Sequence, residues 1–209
     1  MAQRSKKVLL LGDGAVGKTS LVRRYVEQEF HDRYIATIGV NVKKKKLPDL
    51  GIKMMLWDLY GQKINKNLHA SHYSGADGAI IIYDLTRYDT FLSLDNWISE
   101  VFSVTGKIPF VVLGNKFDLI EDYENDGFDD FDSFIEEEHK EVIDFYKEVY
   151  GELPNFSRVS LDDLWVWAED KKRELDTDFS YFFTSAKTGE NVEKAFRSLG
   201  KLLSESDKK

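Results

Sequence analysis

Gly12-Asp13-Gly14-Ala15-Val16-Gly17-Lys18-Thr19 fits the pattern G-x-x-x-x-G-K-[ST] at every fixed position. It stands between the apolar run Val8 to Leu11 and an amphipathic stretch from Lys18 to Glu27. The run reads as a buried strand and the stretch as a helix. Phosphate chemistry needs that context. Glycines let successive backbone N–H groups turn inward around phosphate oxygens, and the following helix adds its positive N-terminal end. Lys18 can reach the β- and γ-phosphates as a point charge, and Thr19 can offer its hydroxyl to Mg²⁺. The candidate phosphate-binding residues are therefore Gly12, Asp13, Gly14, Ala15, Val16, Gly17, Lys18, Thr19 and, one residue on, Ser20.

The same alternation continues along the chain. Val40 to Leu47 and Ile52 to Trp57 read as a pair of strands joined by a turn at Pro48-Asp49-Leu50-Gly51. Ala79 to Tyr83, Phe110 to Leu113 and Tyr181 to Phe183 are further short buried strands, while Ser93 to Val104 and Asn191 to Leu203 read as helices. Strands alternating with helices predict an α/β three-layer sandwich. Its sheet is mostly parallel, with about six strands and helices on both faces. The length of 209 residues suits one domain spanning 1–209.

Composition excludes several functions. There is no cysteine, so disulfides, thiolate metal sites, Cys nucleophiles, prenylation and palmitoylation have no acceptor. The four histidines do not form a ligand-spaced cluster with other soft ligands, as a transition-metal site would need. The net charge of -8 gives no reason to expect nucleic acid as a partner. No apolar run is long enough for a signal peptide or a membrane span. A cytoplasmic, soluble monomer is the expectation, with any membrane association supplied by a partner. The charge is uneven: Leu119 to Asp178 holds 21 acidic and 6 basic residues, on an otherwise basic chain. Lys43 to Lys46 reads as a sheet edge protected from aggregation by charge, with contact to anionic lipid as the alternative.

A phosphate loop does not choose a base. Asn115-Lys116-Phe117-Asp118 directly follows a buried strand. A carboxylate such as Asp118 can accept from guanine N1–H and its exocyclic NH₂ together, a donor pair that adenine lacks on that edge. A site built for paired hydrogen bonds strongly rejects the analogue that leaves a charge unpaired. Asn115 can tie this loop to the phosphate loop, and the Lys116 stem can cover one face of the base. Alone, the tetrapeptide would equally be a solvated turn. Thr184-Ser185-Ala186-Lys187 also follows a strand; its backbone could contact the guanine oxygen, with Lys187 on the other side of the ring.

Taken in order, the phosphate loop, Thr37, Asp58-x-x-Gly61, Asn115-Lys116-x-Asp118 and Ser185-Ala186-Lys187 resemble the motif series of the Ras superfamily of small GTPases. The likeness runs from about Lys6 to about Leu203. The stretches Tyr34 to Val40, Leu56-Trp57-Asp58 and Ile82 to Thr86 look most like the Rab branch. The resemblance implies a switch that binds GTP or GDP with Mg²⁺ and slowly hydrolyses GTP. It implies that Phe30 stacks on guanine, although a hydrophobe at a helix end has an ordinary packing role too. Tyr34 would close over the phosphates. Thr37 would join Thr19 on Mg²⁺, with Asp58 holding the ion through water. The Gly61 N–H would meet the γ-phosphate and Gln62 would orient the attacking water. Lys18, Gly61 and Gln62 are thus the catalytic candidates. No arginine stands at an evident finger position, and Arg33 reads as a solvated loop charge. Effector, exchange-factor and activating proteins at the two switch loops are the partners that the resemblance implies, the last supplying an arginine.

Three features depart from the pattern. Tyr60 stands where the family has a small residue, which puts the hydrolytic rate in question; the alternative function is a nucleotide-binding interaction module with little hydrolysis. No lipid-anchor cysteine follows the last helix. An acidic insertion of about 121–158 separates the Asn115–Asp118 motif from a family helix at Leu161 to Leu175. Within it, Ile135, Val142, Tyr146 and Val149 predict a further amphipathic helix over about 133–150.

Overall fold

The computed structural model describes residues 3–30, 39–59, 71–120, 159 and 161–206. The chain runs β1 (Arg4–Leu11), α1 (Lys18–Glu27), β2 (Val40–Leu47), β3 (Ile52–Leu59) and β4 (Gly78–Asp84). It continues α2 (Tyr88–Leu92), α3 (Leu94–Thr105), β5 (Phe110–Asn115), α4 (Leu161–Glu174), β6 (Phe179–Thr184) and α5 (Val192–Ser206). The six strands form one sheet in the order β2-β3-β1-β4-β5-β6. Only the β2–β3 pair is antiparallel. The expected mostly parallel α/β sheet is present.

Period-two alternation builds the two cores. In β1, Val8 and Leu10 point to one face with Met54, Leu56, Ile80, Ile82, Val111 and Leu113; there they meet Leu21 and Tyr25 of α1 and Phe196, Leu199 and Leu203 of α5. Leu9 and Leu11 point the other way with Ile81, Tyr83 and Val112, against Phe91, Leu94, Trp97, Ile98 and Val101 of α2 and α3. All of these side chains are buried. Each contributes roughly 1.5–3 kcal/mol by leaving water. A one-residue slip of any central strand would exchange its two faces, so the register is strongly fixed.

That register also aligns the site. Leu10 pairs with Asp58, Asp84 with Asn115, and Asn115 with Thr184. Asp58, Asp84, Asn115 and Thr184 are all buried, and they stand at the last or next-to-last position of their strands along one crest of the sheet, where ligands of open α/β sheets bind. β2 is an edge strand, as its lysines predict. Its four lysines divide between faces. Lys43 pairs with Glu27 at 2.7 Å, and Lys45 donates to the Tyr25 carbonyl at 2.8 Å. Lys44 and Lys46 are exposed.

The elements extend beyond the strands and helices read from sequence alone. β1 begins at Arg4 and β6 at Phe179, because edge positions of a strand need no apolar run once the ladder is established. The stretch expected as one helix from Ser93 is preceded by α2, which ends where the Ser93 hydroxyl and amide both donate to Asp89 O. The proposed insertion and its expected helix over 133–150 lie outside the described residues, whereas α4 occupies the place expected of the following family helix. Among the described residues, no helix is long and apolar enough to cross a membrane.

Candidate functional site

The phosphate loop leaves β1 in conformations that side chains rarely adopt. Gly12 has φ 135° and Gly17 has φ 101°. A Cβ on Gly12 would stand 2.1 Å from the Ile82 carbonyl oxygen, and one on Gly17 would stand 2.2 Å from Asn115 Nδ2. The loop therefore passes close to both β4 and the Asn115 loop, and only glycine fits at these two points.

Lys18 opens α1 and folds back across the loop. Its Nζ donates to the carbonyls of Gly12 and Asp13, both at 2.8 Å. Burial pulls its pKa down to about 8, against the pull of the nearby Asp58 and Asp13 carboxylates. Among the described residues this buried ammonium is hydrogen-bonded to neutral carbonyls and not directly to a carboxylate, which leaves the corner receptive to an anion. The Thr19 hydroxyl donates to Asp58 Oδ2 at 2.6 Å. Among the described residues the buried Asp58 Oδ1 has no hydrogen-bond partner, and burial pushes the pKa of this carboxyl up. An orphaned carboxylate oxygen beside a hydroxyl is a hard-oxygen donor set, the kind that holds Mg²⁺ with water and phosphate completing the shell. Thr19 and Asp58 fit the ion.

The base-side loops are joined by side chains. Asn115 Nδ2 donates to the Val16 carbonyl at 2.9 Å, as expected of a tie to the phosphate loop. Its Oδ1 accepts from Ala186 N at 3.2 Å, so one amide bridges three loops. The Ser185 hydroxyl donates to Asp118 Oδ1. Lys187 Nζ lies 3.9 Å from Asp118 Oδ2. Lys116 takes a left-handed conformation, φ 68°, and sends its ammonium 2.6 Å from Asp84 Oδ2. Phe30 is half-buried and packs against the α1–α5 core. Tyr34, Thr37, Tyr60, Gly61 and Gln62 lie outside the described residues.

Four contributors escape the motif reading. Arg24 on α1 donates to the carbonyl of Ala186 at 2.8 Å and to that of Lys187 at 2.5 Å, clasping the Ser185–Lys187 loop from behind. Trp97 donates its indole N–H to Asp13 Oδ1 at 3.3 Å. Asp84 ends β4 and Arg87 stands just after it, and between them they reach both loops. Arg24, Trp97 and Arg87 carry no local pattern. Asp84 had a signal: a carboxylate ending the wholly apolar run Ala79 to Tyr83.

A family model described as the Ras family matches residues 7–205. The chain is 33% identical over 202 residues to the Ras-related protein Rab7 of Drosophila melanogaster, covering 93% of this chain and 78% of that protein. It is also 33% identical over 211 residues to the Ras-related protein Rab-7a of Dictyostelium discoideum, covering 96% of this chain and 85% of that one.

Proposed function

Because the chain belongs to the Ras family, as a small GTPase switch of the Rab type, we propose that the loops along its sheet crest divide the work of binding and hydrolysing GTP. The observation that carries this reading is the Asn115 amide. It joins the phosphate loop, through Val16, to the Ser185–Lys187 loop, through Ala186, and the Ser185 hydroxyl of that loop in turn donates to Asp118.

Asp118 accepts from guanine N1–H and its exocyclic amine, while Ser185 and Lys187 hold that carboxylate in place. Backbone N–H groups from Asp13 to Ser20 and the α1 N-terminus surround the phosphates. Lys18 exchanges its two carbonyl partners for phosphate oxygens. Thr19, Asp58 and Thr37 hold Mg²⁺, the ion on which the family generally depends; when bound, it neutralises charge on the β- and γ-phosphates. Gln62 orients the attacking water, and the Gly61 N–H meets the γ-phosphate. Phosphoryl transfer needs an aligned water and charge neutralisation more than a protein nucleophile. Turnover is slow alone and is accelerated by an activating protein that brings an arginine.

Regulatory and effector proteins are partners of this class of switch; they dock at the loops around Thr37 and Gln62. The protein is a cytoplasmic monomer, and residues 1–209 form one G domain interrupted by the acidic insertion at about 121–158. Single-turnover hydrolysis of bound GTP tests the assignment. Gln62→Leu should slow it by roughly 10²-fold or more while GTP remains bound. Unchanged hydrolysis in that variant would remove Gln62 from the mechanism. Negligible turnover in the wild type would make the protein an interaction module, with Tyr60 the residue to revert.

A further inference from the structure

Arg87 stands three residues past β4 and reaches in two directions. Its Nε donates to Asp84 Oδ2 at 3.2 Å, and one terminal nitrogen donates to the Gly14 carbonyl at 2.8 Å. Asp84 is fully buried. Its Oδ2 also lies 2.6 Å from Lys116 Nζ, while its Oδ1 accepts from the Thr86 amide at 3.0 Å and the Thr86 hydroxyl at 2.7 Å. One buried carboxylate thus lies between two cations. Lys116 belongs to the base-reading loop, and Arg87 holds the phosphate loop.

A buried carboxylate keeps its charge only while it is paired and hydrogen-bonded. Separating either loop from the other would pull a cation from Asp84 or break the guanidinium bond to Gly14. This path differs from the Asn115 tie, which grips the phosphate loop at the Val16 carbonyl, two residues on. Arg87 suits the task because its planar fork can serve a carboxylate and a carbonyl together, whereas an ammonium on a flexible stem cannot hold that geometry. Its side chain is 38% exposed, so the brace can be reached from solvent at one end.

We infer that Arg87 is a positioning residue for nucleotide retention: through Asp84 and Lys116 it couples the phosphate loop to the base-reading loop, so that neither opens alone. The inference rests on the GTPase reading above. Release is the step it governs, because a guanine nucleotide held at both ends leaves only when both loops give way.

The experiment is release of a fluorescent GDP from the full chain into excess unlabelled GDP. Arg87→Ala should speed release about tenfold, the scale of one lost charge-assisted hydrogen bond. Arg87→Lys should fall between it and the wild type. Hydrolysis of GTP already bound should change far less than release. Combining Arg87→Ala with Lys116→Ala should speed release by less than the product of the single effects, because both act through Asp84. Should Arg87→Ala prove unstable by thermal melting, Arg87→Gln, which keeps one donor, is read in its place. Unchanged release, strictly multiplicative effects, or a loss confined to hydrolysis would each overturn the inference. A wild-type chain that fails to bind GDP at all would instead count against the function proposed above.

Discussion

The phosphate half and the base half of this crest meet at Asn115, yet they are built by different means. The phosphate half is one contiguous octapeptide. It owes its shape to glycines at φ angles closed to other residues, and to Lys18 folding onto its own loop six residues back. The base half is assembled across the chain. Asp118 is held by Ser185, Asn115 by Ala186, and the Ser185–Lys187 loop by Arg24, 162 residues away from Ala186. The first is a backbone object that fails through steric conflict. The second is a side-chain object that fails through lost hydrogen bonds, in graded steps.

The sharpest way to break that contrast is Gly12→Ala. The new methyl would collide with the Ile82 carbonyl at a φ closed to alanine, so stability should fall by about 4 kcal/mol. Urea denaturation reads this, and a midpoint close to wild type would show that the loop can yield. Asn115→Ala should come next. It removes the donor to Val16 O and leaves the buried Ala186 N–H without its acceptor, costing about 2–3 kcal/mol in GDP affinity. Titration calorimetry would show it; an effect as large as that of Gly12→Ala would erase the distinction. Arg24→Ala should be the mildest, weakening GDP binding by about 1–1.5 kcal/mol without touching the nucleotide. An abrupt loss there would mean that the base half is as brittle as the phosphate half.

The same contrast explains what was readable from residues alone. The phosphate loop declares itself because its chemistry needs fixed residue types at fixed short spacing, between a strand and a helix that also announce themselves by period. The Asp118 motif was readable once a buried strand was seen before it. The braces were not. Arg87 meets Gly14 across 73 positions and Arg24 meets Ala186 across 162, and nothing in a linear pattern places one beside the other. Sheet register does that, by ending β4, β5 and β6 at one level. α2 was missed for a local reason: Arg87 to Ser93 has too few residues for a helical period to show. The lysine run was readable as an edge, but not its division. Only pairing with β3 shows that Lys43 and Lys45 turn toward α1 while Lys44 and Lys46 turn away.

The Trp97 indole has a consequence in optical terms. It is 6% exposed, and its N–H points at the Asp13 carboxylate inside the phosphate loop. A charged acceptor beside an indole shifts its emission, so any change in that loop on loading is written directly into the ultraviolet fluorescence. Trp165, 57% exposed on α4, emits from a solvent-relaxed state farther to the red. Selecting the blue edge of the spectrum favours Trp97 over Trp165, and replacing the half-buried Trp57 and Trp167 by Phe would isolate the Trp97 signal, which should then follow loading of the otherwise unlabelled chain.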